Sequence, residues 1–147
     1  MTFDIIKVTG QLDILLHDEI GNIKQQLHIP NLVVDIGKSF IASRMVGTAD
    51  GVMSHMAVGT GNTPPTASNT ALGNQLGSRV AFSSTTRANN SITYIASYGA
   101  GVATGSLTEA GIFNASTNGT MMCRSTFTAI NKAATDTLTI NWTVTIN

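Results

Sequence analysis

The run Thr137-Leu138-Thr139-Ile140-Asn141-Trp142-Thr143-Val144-Thr145-Ile146 alternates without a break. Leu138, Ile140, Trp142, Val144 and Ile146 fall on one face. Thr137, Thr139, Asn141, Thr143 and Thr145 fall on the other, as in a strand with one side buried and one side wet. Ten residues at the β rise extend roughly 33 Å, against about five or six residues in an ordinary strand. Such a length suits a sandwich or jelly roll and ties the end of the chain into a sheet.

Working outward, residues 11–29 read as a hairpin. Leu12, Ile14 and Leu16 alternate with polar or partly exposed neighbours, Ile23, Gln25, Leu27 and Ile29 form a second period-two run, and Asp18-Glu19-Ile20-Gly21-Asn22 supplies turn chemistry. Pro30 ends the ladder because it has no backbone N–H. The period then becomes helical. Ile36, Phe40, Ile41, Met45 and Val46 share one side, with Asp35 at the N-cap and Gly47 near the C-terminus, so the spacing predicts a short amphipathic helix over about 35–46. Further strands are expected at Met53–Val58, Arg79–Thr86, Ile92–Tyr98, Leu107–Phe113 and Met121–Thr128, with one helical turn at Ser68–Leu72 and an Asn118-Gly119 hairpin turn. The expected fold is all-β, a jelly-roll-like β-sandwich of about eight strands with one helix. Residues 1–10 form an arm or edge strand and 11–147 a single domain.

Composition supports this reading. Thr, Ser and Asn supply 21, 12 and 12 of 147 residues, and only 11% are charged. Eight Lys and Arg balance eight Asp and Glu, so there is no basic face for nucleic acid. Residues 1–50 hold ten of the sixteen charges, which leaves the remainder to cover itself with hydroxyls and amides. A surface so poor in charge is weakly protected against association, and we read it as one that meets neighbours. The N-terminus lacks the pattern of a secretory leader, implying synthesis in a cytoplasm. The uncharged stretch between Arg87 and Glu109 is too rich in Asn, Ser, Thr and Gly for a membrane span.

Chemistry is sparse. His17, His28 and His55 show no metal-ligand spacing, and His17-Asp18-Glu19 reads as a charged turn. The glycine run Gly99–Gly105 misses the dinucleotide spacing and precedes a strand where phosphate binding needs a helix. Gly37-Lys38-Ser39 lacks the upstream glycine of a phosphate loop. Cys123 lies inside a strand pattern, where a free thiol behaves as a small apolar side chain. Glu109, among Leu107, Ala110, Ile112 and Phe113, needs a partner. It either accepts from backbone or an arginine such as Arg124, or makes a contact between subunits. No catalytic residue, cofactor, metal or small-molecule substrate is expected, and the chain reads as a non-enzyme.

Several segments together resemble small virion proteins of tailed bacteriophages. These are Asn31-Leu32-Val33-Val34-Asp35 before the helix, Met53-Ser54-His55-Met56-Ala57-Val58-Gly59-Thr60-Gly61, Leu107-Thr108-Glu109-Ala110-Gly111-Ile112-Phe113-Asn114, and Thr135–Val144. The resemblance implies a structural component of the virion. Capsid cement (decoration) protein bridging major capsid protein subunits, commonly as a homotrimer, is the first expectation. A tail-fibre, collar or baseplate component involved in host attachment is the alternative. Phe3, Ile5, Ile6 and Val8 are the candidate arm, pairing either with a neighbour's sheet or with their own.

Overall fold

A computed structural model describes residues 4–48 and 51–147. The chain forms an all-β sandwich of two five-stranded antiparallel sheets with one helix. The first sheet contains β1 (Val8–His17), β2 (Ile23–Pro30), β6 (Ser84–Ala88), β7 (Ser91–Tyr98) and β10 (Thr137–Ile146), in the order β2-β1-β10-β7-β6. The second contains β3 (Leu32–Val33), β4 (His55–Gly59), β5 (Val80–Ala81), β8 (Gly105–Phe113) and β9 (Met121–Lys132), in the order β3-β9-β8-β4-β5. Neighbours β1-β2, β6-β7 and β8-β9 are hairpins kept within a sheet.

β10 lies at the centre of its sheet because its period-two pattern is matched on both sides. Leu12 pairs with Trp142 and Trp142 with Tyr94, Ile14 with Ile140 and Ile140 with Ala96, and Leu16 with Leu138 and Leu138 with Tyr98. Cross-strand partners share a face, so these rows form one apolar wall. The opposing wall comes from Met56, Val58, Leu107, Ala110, Ile112, Cys123 and Ile130. Fully burying a large apolar side chain contributes about 1.5–3 kcal/mol, so a core of this size sustains the fold without a disulfide. Two polar ties cross it: Tyr98 Oη donates to Met56 O at 2.7 Å, and Trp142 Nε1 donates to Asn31 Oδ1 at 2.8 Å.

The second sheet is covered on both faces. Its far side carries Val34, Ala57, Phe113 and Met121, with Ile36 and Leu72 packed against them from the helix and from the connection 60–79. Double coverage explains why burial is continuous from Glu109 to Phe113 on β8, and again from Met121 to Ser125 on β9, with no alternation in either run.

Several local expectations change. The helix α1 spans Asp35–Met45, but its N-cap is Val34 without a side-chain cap; Asp35 is the first helical residue and donates its N–H to Ala67 O at 2.8 Å. Only Gly37 and Phe40 are buried on it, Gly37 lying close against Met122 of β9, while Met45 and Val46 are exposed. Ser68–Leu72 is not helical: Asn69 N donates to Thr66 O, and Asn69 Oδ1 accepts from Thr66 N, closing a turn. The expected strand Arg79–Thr86 is two strands in different sheets, β5 on β4 and β6 on β7, so the chain changes sheets at Phe82-Ser83. Asn118 and Gly119 both have positive φ, as the expected tight turn requires.

β1 begins at Val8, inside the expected arm, and Val8 pairs with Ile146 of its own sheet. Lys7 continues the pairing through its backbone to Asn147. Ile5 and Ile6, 76% and 72% exposed, precede the strand, and Phe3 lies outside the described residues.

Deleting Val144–Asn147 removes the buried Val144 and the pairing of β10 with the start of β1. The truncated protein is expected to lose its cooperative thermal transition; a preserved melting curve by circular dichroism would contradict the central placement of β10.

Candidate functional site

The most concentrated polar arrangement sits on the far face of the second sheet, under the connection between β4 and β5. Glu109 on β8 and Arg124 on β9 are 0% and 2% exposed. The ladder sets them on one face, since Gly59 pairs with Glu109 and Gly111 pairs with Arg124.

The Glu109 carboxylate is saturated from within the chain. Oε2 accepts from the backbone N–H of Gly61 and of Asn74, each at 2.7 Å. Oε1 accepts from Gly73 N at 2.7 Å and from Arg124 Nε at 3.1 Å, with Arg124 Nη2 3.0 Å away. Three amides that follow no strand ladder are thereby satisfied, and both ends of the connection are fastened to β8. Thr108 Oγ1 adds a bond to Gly61 O at 2.9 Å. Gly61 is a steric requirement here, because a Cβ at that position would overlap Glu109 Oε2.

Burial alone raises the pKa of Glu109, but the amides of Asn74, Gly73 and Gly61 and the Arg124 guanidinium outweigh it and hold the carboxyl below its ordinary value. The carboxylate offers no oxygen to another chain, so the expectation of an intersubunit contact through Glu109 gives way to the internal one: it accepts from backbone and from Arg124. Among the described residues, the other buried charges lie elsewhere. Asp136 accepts from Lys24 Nζ at 2.7 Å and Ala133 N at 2.8 Å, which lowers its pKa, and Lys132 donates to Gly99 O at 2.8 Å.

Arg124 also donates from Nη1 to Asn69 Oδ1 at 3.1 Å. The guanidinium forms part of the lining of an open cleft of about 420 Å³ with Thr63, Ser68, Asn69, Thr70 and Leu72. Of the residues singled out from sequence, Glu109 and the arginine named as its partner, Arg124, take part. Val8 is in the first sheet, Ile5 and Ile6 precede it, and Cys123, beside Arg124 in sequence, is fully buried with its thiol pKa pushed up by burial. Asn69, Gly73 and Asn74 were not legible as partners, since two of them act through backbone N–H groups. The available signal was the glycine spacing Gly59-Thr60-Gly61 and Gly73-Asn74 in a chain whose one apolar-flanked glutamate needed donors.

Compared with family models, curated proteins and solved structures, the chain matches none. Among the described residues no group of three His, Cys, Asp or Glu side chains could hold a metal ion, and no helix is long and apolar enough to cross a membrane.

Glu109→Gln puts an amide NH2 against N–H donors and leaves Arg124 uncompensated, so it is expected to cost about 3 kcal/mol and roughly 10 °C in melting midpoint. The folded carboxyl titrates below the unfolded one. Its contribution is therefore complete above about pH 4.3, the unfolded value, and lost as the pH falls through the folded pKa. Chemical denaturation across the acid range should show a shallower loss of stability in Glu109→Gln than in the native protein, the remaining slope including Asp136. Equal slopes would mean that Glu109 is not the ionised acceptor described.

Proposed function

We propose that the protein is a non-enzymatic structural subunit of a bacteriophage virion, a capsid cement protein that bridges major capsid protein subunits. The observation that carries this reading is where the charge goes. Residues 51–147 contain six charged side chains, and four of them, Glu109, Arg124, Lys132 and Asp136, are buried. Arg79 is half-buried, donating to Ala115 O and Asn118 O and lying over the Phe113 ring. Arg87 is left as the exposed charge of that stretch.

The outward face of the first sheet follows suit. Its rows are Thr86, Thr93, Thr143, Gln11 and Pro30; Ser84, Ile95, Asn141, Asp13 and His28; and Ser97, Thr139, Leu15 and Gln26. Hydroxyls bond one another across it, Ser91 to Thr145 at 2.9 Å and Thr93 to Thr143 at 3.3 Å, and its ionisable groups in these rows are the paired Asp13 and His28. Such a face costs little to desolvate, because few ions must be stripped of water and many hydroxyls already have partners. It suits packing against a larger protein surface, and the exposed Ile5 and Ile6 offer further apolar area. Copies grouped as a homotrimer would multiply each weak contact. The resemblance to small virion proteins points the same way, with synthesis in the host cytoplasm and final residence on the capsid surface.

Particles assembled with Thr93→Lys are expected to bind much less of the protein, although the variant melts like the native chain. Capsids stripped of the protein should lose resistance to heat. Recovery at only a few copies, at the tail, would favour the tail-fibre, collar or baseplate reading, and absence from purified particles would remove both.

A further inference from the structure

The cleft beside Arg124 is lined by polar residues, and one of them, Asn69, is oriented by the buried ion pair. Asn69 Oδ1 accepts from Arg124 Nη1 at 3.1 Å and from Thr66 N at 2.9 Å. Two donors on one atom fix which end of the amide is oxygen, and Nδ2 must then face away from Arg124. Among the described residues no acceptor takes its hydrogens. Ser68, Thr63 and Thr70 are hydroxyl-bearing residues of the same lining, and Ser68 Oγ lies 3.2 Å from Thr66 Oγ1. Leu72 and Ala71 supply a small apolar strip. Behind these groups the positive charge of Arg124 is cancelled by Glu109.

We propose that this cleft is a subsite for a neutral saccharide unit. A sugar hydroxyl both accepts, as Asn69 Nδ2 requires, and donates, as the threonine and serine oxygens allow. Its C–H face fits the Leu72 and Ala71 strip. An anion gains little, because no uncompensated cation lines the cleft. The volume, about 420 Å³, is in the range of small-ligand sites. With no aromatic platform among the lining residues the affinity is weak, in the millimolar range, and useful only when many copies act together. This inference is independent of the capsid reading: it concerns the isolated chain, and failure of either leaves the other standing.

The test is a titration of the ¹⁵N-labelled full chain with N-acetylglucosamine and, separately, with glucose, followed by amide chemical shifts. Saturable changes confined to residues 63–73 are expected with at least one sugar. Asn69→Asp keeps the acceptor for Arg124 and Thr66 but removes the outward donor, so it should retain the melting curve and lose those changes. No shift with either sugar, shifts scattered over the surface, or shifts unaltered in Asn69→Asp would overturn the proposal. A triglycine peptide that produces the same changes while neither sugar does would overturn it in favour of a protein partner.

Discussion

The buried Glu109–Arg124 pair is the constraint on which the arrangement of the second sheet depends. Between β4 and β5 the chain makes a long excursion, and connections of that length are ordinarily loose or functional. Here the excursion is held by one carboxylate that collects the amides of Gly61, Gly73 and Asn74. With the loop pinned, Leu72 can pack on Phe113, Ala57 and Met121, and the first helical N–H finds Ala67 O. Burying two charges is costly, and a hydrophobic replacement of a buried pair is often no less stable. What an apolar pair could not do is satisfy three loop amides at once. The pair is therefore better understood as a device for shape, fixing the loop in one conformation.

How much was legible follows from how each sheet is solvated. The strands of the first sheet face water on one side, so β1, β7 and β10 carried period-two signals and were readable to within a few residues. In the second sheet both faces are covered, alternation vanishes, and β8 and β9 show continuous burial. Strands there were recognised, but not which face was which. The split of Arg79–Thr86 was invisible, since a chain that crosses from one sheet to the other keeps its β propensity throughout. The helical pattern at 35–46 overstated the apolar face, since Met45 and Val46 at its last turn are exposed.

For the candidate site, the glutamate was legible and its environment was not. A lone carboxylate between Leu107 and Phe113 had to find donors, and Arg124 was a reasonable one. The remaining donors are backbone amides of a loop, and no side-chain pattern encodes where a loop's N–H groups point. Asn69 was hidden for a related reason: its importance lies in which of two nearly equivalent atoms faces Arg124, and that is fixed only once the pair is assembled.

The same economy connects fold to proposed role. A protein of zero net charge with few charges loses most of its protection against association when those charges are placed inside. In the stretch 51–147 four of the six are inside, where Glu109 and Arg124 hold a loop and Lys132 and Asp136 bond to the backbone of Gly99 and Ala133. The outside is left to threonine, serine and asparagine, whose hydrogen bonds are exchanged with a neighbour at small net cost. Against edge-to-edge growth the fold has other protection. The edges of the second sheet, β3 and β5, are two residues long, and in the first sheet the edge strand β2 ends at Pro30 while β6, at the other edge, is five residues long and carries Arg87. On the proposed reading, contact with a larger surface is made through the faces of the sandwich and not through the short edges of the second sheet.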